Sequence, residues 1–508
     1  MGRQQTIAFK GFVDGAYTLD SVKVDAQECI NYYPEQNEIV FGKETGQLSI
    51  LPPPGFTLIP TPGSQWFFQV DNGPVRGMWT LPDGRFIVVS ANNCYVISYT
   101  GVFNLLLVGS LQTNSGPVSI SDNGVQVIIV DGLYGYIITI GTPTGKPIFN
   151  QILDPTFQAN GASFVVFNDG YFIVGSPNSA QWYLSNLYDG TVWNPLDFAT
   201  KEGTTDWLMC PKCCNGYVWL VGNKSIEIYY DSGNANFPFS RIAGVQVQYG
   251  TWSGGSVQVL DNSLIWVGTA VDGGCSVWKM NGYTPARVSN FAVELDLGNA
   301  SGAQLAGMTS WIYQRNGHSF YNLNIPGFDH TWTLDLATGK WHKRTTLDKQ
   351  GQRQQHQFLC SCAAYGFIFG GDQYGSCYTL KENLCTDGVS GTNGVGSVPI
   401  ERVRISPHIG RMMMNVIHNR VELDFQAGAG TNTGQGSNPQ MMMQYSDDGG
   451  STWSTERWQS MGRIGQTFQR LRWDQCGMAR NRVYKFRLTD PVWVPIVGAQ
   501  IGITVGTA

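Results

Sequence analysis

The residues in this chain that could hold a metal or attack a substrate are few and scattered. Cys210, Cys213 and Cys214, in the run CPKCC, supply one Cys-x-x-Cys, yet a structural zinc site needs a second ligand pair and no Cys or His pair lies nearby. Cys360 and Cys362 are separated by one residue, the wrong spacing for a zinc knuckle. The eleven cysteines are therefore expected as reduced thiols acting as small buried apolar groups. His318, His330, His342, His356, His408 and His418 form no His-x-x-x-His or His-Glu-x-x-His pair, which argues against a catalytic metal. Residues 141–146 (GTPTGK) fall one short of a phosphate loop, and Pro147 stands where a Mg²⁺-binding hydroxyl should be. The Gly-rich stretches 391–396 and 428–436 follow no strand-helix-strand unit and read as loops. No Gly-x-Ser-x-Gly elbow is present. The chain is expected to use no cofactor, and no catalytic residue can be selected.

Two constellations stand above this background. Residues 400–508 hold 12 Lys plus Arg against 8 Asp plus Glu, a net of +4, while the first 399 hold 20 against 29, a net of −9. The basic excess concentrates in Arg457, Arg463, Arg470, Arg472, Arg480, Arg482, Lys485 and Arg487, with Trp458 and Trp473 interleaved. Arginine forks pair bidentately with carboxylate or phosphate, so the first six are candidate assembly contacts for an acidic partner. Outward-facing residues on alternating strands would give the same pattern, and DNA binding usually requires a more uniformly basic domain. The second constellation is Ser446, Asp448, Gly450, Thr452 and Trp453, spaced as Ser-x-Asp-x-Gly-x-Thr-Trp. That is the Asp-box turn found in sialidase-type propellers, where Asp and Gly hold a hairpin and Trp packs beneath it. Sialidases repeat the box, whereas here it occurs once, and no paired carboxylates accompany it. A sialidase-like or glycan-binding propeller is the alternative reading.

The elements that position these residues follow from a repeat. A strand, tight turn, strand pattern begins near Arg85, Val125, Tyr171, Tyr217, Ser263, Ser319 and Gly366, at steps of 40, 46, 46, 46, 56 and 47 residues. A unit of that length, built from β-branched and aromatic runs separated by Gly, Asn, Asp or Ser, suits one four-stranded propeller blade. One blade cannot bury both of its faces, and a ring of six or seven blades can. The predicted fold is all-β: a six- or seven-bladed β-propeller over 61–395, followed over 396–508 by a separate β-sandwich-like assembly domain. Residues 1–60 are expected as an N-terminal arm that could include a ring-closing strand.

Composition agrees with this fold. Charged residues make up 14 % of the chain, against roughly 25 % in ordinary soluble proteins. Few charges and 62 glycines indicate much buried or interfacial surface joined by many turns. A net charge of −5 predicts no general affinity for nucleic acid or anionic membrane. No apolar run approaches the roughly 20 residues of a membrane helix, and the first residues lack a secretory-type hydrophobic segment, so synthesis in the cytoplasm is expected.

Several longer motifs occur in a fixed order: CINYYPE at 29–35, GPVRGM at 73–78, SNLYDGTVWNPLDFA at 185–199, IYYDSGNANFPFSRI at 228–242, NGYTPARVS at 281–289, and YSDDGGSTWSTERW through RVYKFRLTDPV in the last part. Together they resemble the packaged-DNA stabilisation proteins of short-tailed bacteriophages, also called tail hub or nozzle proteins. The resemblance implies a structural virion protein of the tail, made in the host cytoplasm and without enzymatic activity. It implies a homo-oligomeric ring, a hexamer, beneath the portal and its adaptor, and attachment of tail spikes or fibres and of a needle or plug. DNA would pass through without sequence-specific binding, and no membrane insertion is implied. CPKCC has no place in the resemblance.

Overall fold

The structure, a computed structural model, describes residues 5–9, 11–19, 25–36, 56–140, 146–269, 274–389, 396–410 and 414–505. Most of the phosphate-loop-like run at 141–146 and of the Gly-rich run at 391–396 lies outside the described residues.

Among the described residues, seven antiparallel blades form the propeller. The first is Val75–Thr80, Phe86–Ser90, Asn93–Tyr99 and Phe103–Ser110, hydrogen-bonded in that order from the axis outward. The next blades repeat the plan from Ser119–Asp122, Phe164–Asn168 and Leu208–Cys214, and a fifth forms around Ser263–Thr269. Blade six comprises Thr309–Arg315, His318–Asn324, Thr331–Asp335 and Lys340–Leu347. Blade seven takes three strands from the end of the repeat, Cys360–Ala364, Phe367–Gly371 and Ser376–Lys381, and its outer strand, Gly63–Gln69, from the beginning. That strand ties the ring shut.

Local chemistry explains the blade hairpins. Asp169-Gly170, Asn215-Gly216, Asn316-Gly317 and Tyr365-Gly366 each join the first two strands of a blade with both residues at positive φ. This is the two-residue turn whose twist matches that of the strands. Second strands such as Phe86–Ser90 are buried throughout because neighbouring blades cover both faces. Ile87 and Val89 pack toward the second blade with Val127 and Ile129, whereas Phe86 and Val88 pack toward the seventh with Phe369 and Cys377. Each fully buried side chain of this size contributes about 1.5–3 kcal/mol. The long step between blades five and six accommodates two short helices, Phe291–Asn299 and Gly302–Ala306. Asn290 caps the first and a Ser301–Gln304 capping box opens the second.

The sandwich does not come from the C-terminal residues alone. One of its sheets runs Leu471–Asp474, Val416–Phe425, Ile496–Val505, Phe56–Pro60, Tyr32–Gln36, with Gln5–Ala8 alongside Ile496–Val505. The other contains Arg402–Ile405, Asn481–Leu488, Gln440–Ser446 and Arg457–Ser460, and continues through Cys29–Ile30 into the outer strand of blade six. The N-terminal residues thus supply strands to both sheets and join the sandwich to the propeller. Asn31, at φ 55, sits at the junction. Its amide nitrogen donates to the carbonyls of Thr345 (3.0 Å) and Glu401 (2.8 Å), and its Oδ1 accepts from the Thr345 amide at 3.0 Å. Phe12 is fully buried edge-on to Phe486, and Arg404 beneath it donates to the carbonyls of Gly11, Phe12, Gly15 and Glu28. Among the described residues no helix is long and apolar enough to cross a membrane.

Candidate assembly surfaces

The arginines singled out from the sequence do not form one patch. Arg482 is 2 % exposed and is spent inside the sandwich. Its fork takes both carboxylate oxygens of Asp447, at 2.5 and 2.7 Å, a third bond reaches the Cys476 carbonyl, and the guanidinium lies 4.0 Å from the centre of the Tyr445 ring. It is therefore removed from the candidate contact surface, because a side chain desolvated and saturated within its own domain has nothing left to offer a partner. Arg457 is half-buried and donates to the Asp474 carbonyl at 2.6 Å. Arg472 pairs with Asp474 at 2.8 Å and Arg480 approaches Asn415 at 3.4 Å, both at the surface. Arg487 bridges Glu401 (2.9 Å) and Glu456 (3.1 Å).

Arg463 and Arg470 are different, since they flank a connection of the sandwich that exposes large apolar side chains. Residues 461–470 cross from Arg457–Ser460 in one sheet to Leu471–Asp474 in the other. Gly462 and Gly465, at φ 84 and 83, let the chain turn back twice. The loop is anchored by hydrogen bonds from Gln469 Nε2 to the Ser460 carbonyl and from the Arg463 amide to Gln466 Oε1. Phe468 is 100 % exposed, Ile464 is exposed four residues before it in the same loop, and the Arg470 side chain is 81 % exposed with Glu422 no nearer than 3.8 Å. Sequence reading picked the two arginines and missed the phenylalanine, whose signal was an aromatic isolated in the polar run GRIGQTFQR.

Ser446, Asp448, Gly450, Thr452 and Trp453 form a closed turn on the sandwich. Ser446 Oγ donates to Asp448 Oδ1 at 2.6 Å and accepts from the Gly450 amide at 2.7 Å, while Asp448 accepts from the amide and hydroxyl of Thr452 at 2.9 and 2.6 Å. These donors, the Ser446 hydroxyl foremost, hold the Asp448 carboxyl well below its usual range. Trp453 packs on Ile30, Val403, Ile405 and Val483, with Lys485 Nζ 5.2 Å from the centre of its ring. The Ser446 hydroxyl and both Asp448 carboxylate oxygens are used to hold the turn.

Cys210, Cys213 and Cys214 lie on the innermost strand of blade four, and burial pushes the Cys210 and Cys213 thiols up to about 11, where thiolate chemistry is suppressed. All three are free, and Cys213 donates to Asn168 Oδ1 at 2.9 Å. A cleft of about 1150 Å³ opens between blades six and seven, lined by amides including Gln69, Gln350, Gln354, Gln357 and Gln373. Its carboxylates serve turns: Asp348 accepts from the amides of Gln350 and Gln352, and Asp372 from those of Tyr374 and Ser376.

Solved propellers are similar at low identity. The WD40 beta propeller domain of Doa1 is 11% identical over 63% of this chain and 97% of that one, with a TM-score of 0.39. Virginiamycin B lyase from Staphylococcus aureus is 10% identical over 63% and 98%, with a TM-score of 0.43, and BamB from Moraxella catarrhalis is 13% identical over 64% and 97%, with a TM-score of 0.36. No curated protein matches the chain. Family models are decisive where these are not. The model for the bacteriophage P22 Gp10 beta-propeller matches residues 53–385, and that for the P22 Gp10 beta-sandwich matches residues 401–504. The two matches cover most of the chain in the order in which the propeller and sandwich occur, as the motif resemblance implied, and the chain belongs to the Gp10 stabilisation family of bacteriophage structural proteins.

Proposed function

We propose that this protein is the tail hub, or nozzle, subunit of a short-tailed phage. Copies stand side by side in a ring, a hexamer, below the portal and its adaptor. The ring continues the DNA channel, helps to retain the packaged genome, and carries tail spikes or fibres and the needle or plug. The observation that carries this reading is the pair of consecutive family matches over the propeller and the sandwich. The mechanics support it. A propeller tied shut by its own first strand and joined to a sandwich through the arm is a stiff wedge, and identical wedges in a head-to-tail contact close into a ring when their rotation divides a full turn. The role is architectural, without turnover. A lumen that conducts DNA works best when it is not strongly basic, because dense phosphate contacts would slow ejection.

Light scattering and negative-stain microscopy of the purified protein, alone and with a portal–adaptor complex, test the proposal. A ring of defined mass on the adaptor is expected, together with loss of packaged DNA from particles that lack the protein. A protein that stays monomeric with the portal–adaptor complex present, or particles that hold their DNA without it, would overturn the reading.

A further inference from the structure

The Phe468 loop of the sandwich is apolar and basic, and the opposite character occurs on the propeller. From Pro147 to Thr200 the chain contains no Lys, Arg or His and four Asp. Blade three is built from this stretch, and its third and fourth strands, Gln181–Leu184 and Phe198–Thr200, are joined by a long loop. The loop is closed at its base by the Leu184 amide on the Asp197 carbonyl (3.0 Å) and within by the Asn186 amide on the Val192 carbonyl (2.9 Å), so it has a fixed shape. Leu187, Tyr188 and Leu196 project from it, 56 %, 63 % and 79 % exposed. Leu187 and Tyr188 lie against Gly170, which places the exposed Asp169 of the neighbouring turn beside them. Asp197, half-buried, adds a further carboxylate to the loop, whereas Asp189 Oδ1 accepts from the amide and hydroxyl of Thr191 at 2.9 and 2.6 Å within it.

Large apolar side chains this exposed on one loop, with like charges carried beside them, mark a contact surface. The sandwich loop carries Phe468 and Ile464 between Arg463 and Arg470; the blade-three loop carries leucines and a tyrosine among aspartates. Each is what the other lacks, since an aromatic anchor needs apolar cover and arginine forks need carboxylates.

We infer that the Phe468 loop of one copy docks on the blade-three loop of the next copy, a head-to-tail contact that presupposes the ring proposed above. Because the two surfaces differ, the contact is heterologous and propagates from copy to copy instead of ending at a dimer.

A photoreactive benzoylphenylalanine at position 468, in the full chain and under the conditions where the wild type assembles, tests the contact directly. The expected cross-link joins position 468 to residues 185–198 of a second copy. Charge reversal gives a second measurement: R463D/R470D is expected to fall to monomer mass with an unchanged melting temperature, D197R to weaken assembly likewise, and an equimolar mixture of the two or the combined variant to recover assembly. Cross-links elsewhere on a second copy, or R463D/R470D rings of wild-type mass, overturn the docking inference and leave the ring intact. Failure of the wild type to assemble, with the portal–adaptor complex present, overturns the ring reading and this contact together.

Discussion

His318 of blade six stands between two carboxylates, Nε2 at 2.5 Å from Glu35 of the N-terminal arm and Nδ1 at 2.9 Å from Asp335 of its own blade. Burial opposes charge on the ring, but Asp335 and Glu35 outweigh it and hold the imidazole above its ordinary 6.5. A base raised in the folded state stabilises fully below its unfolded value and loses that contribution as pH rises through the folded one. Glu35→Gln should therefore cost about 0.5–1 kcal/mol at pH 6, a modest figure because the carboxylate is partly solvated, and almost nothing at pH 9. Urea titrations at the two pH values check the difference, and hydrogen exchange over Tyr32–Gln36 should quicken in the variant at pH 6 only.

His342 behaves oppositely. It is fully buried beside Tyr33 and Phe320, neither ring nitrogen has a hydrogen-bond partner among the described residues, and burial with the nearby Arg344 charge lowers its pKa to about 3. His418, lowered to about 4 by burial and by Arg482, shares the trend. A base depressed in the folded state stabilises above its unfolded value near 6.5, and that contribution drains away as pH falls from there toward the folded value. His342→Phe should keep the fold, since the site is aromatic and asks for no hydrogen bond. Its melting temperature should fall less than that of the wild type between pH 7 and 4.5, and parallel acid slopes for the two proteins would contradict this.

Much of the propeller was legible because blade hairpins are local. Asp-Gly and Asn-Gly turns and two-sided apolar second strands both appear within about a dozen residues of chain. The arm was not, because its partners are remote: Ile30 pairs with Lys343 and Val403, and Gln5–Ala8 with residues 500–503. Arg404 reads as an ordinary surface charge because four of its five acceptors are backbone carbonyls, which carry no sequence signature. Arg482 was misread although the signal existed. Counting by twos along NRVYKFRL from the buried Phe486 passes through Tyr484 and reaches Arg482, so strand alternation puts it inside. The same count along LRWD leaves Arg472 outside, as found.

That contrast can be measured. Arg482→Ala strips a bidentate partner from Asp447 and leaves the Cys476 carbonyl and the Tyr445 face uncovered, so a loss of about 2–4 kcal/mol is expected. Arg482→Lys should recover little, because an ammonium cannot supply the planar fork. Arg480→Ala, two residues away and exposed, should stay within about 0.5 kcal/mol of wild type. Guanidinium titrations of the three variants decide the matter, and equal effects at positions 480 and 482 would refute the assignment of Arg482 as interior.

Closure of the ring depends on how firmly Gly63–Gln69 is held in blade seven. Asp387, fully buried, accepts from the amide and the hydroxyl of Ser64 at 2.9 and 2.7 Å, and the Gly63 amide donates to the Leu384 carbonyl at 3.0 Å. Asp387→Ala leaves the two Ser64 donors without their acceptor and should cost about 2–3 kcal/mol. A Cβ on Gly63 would stand 2.4 Å from the Thr386 carbonyl oxygen and 2.5 Å from that of Leu384, so Gly63→Ala must push the strand outward, at about 1–3 kcal/mol. Both changes act on one strand, so both should accelerate hydrogen exchange in Gly63–Gln69 and Ser376–Lys381 before blades three and four respond. Uniform acceleration around the whole propeller would instead mean that the ring opens cooperatively and that no single blade acts as its clasp.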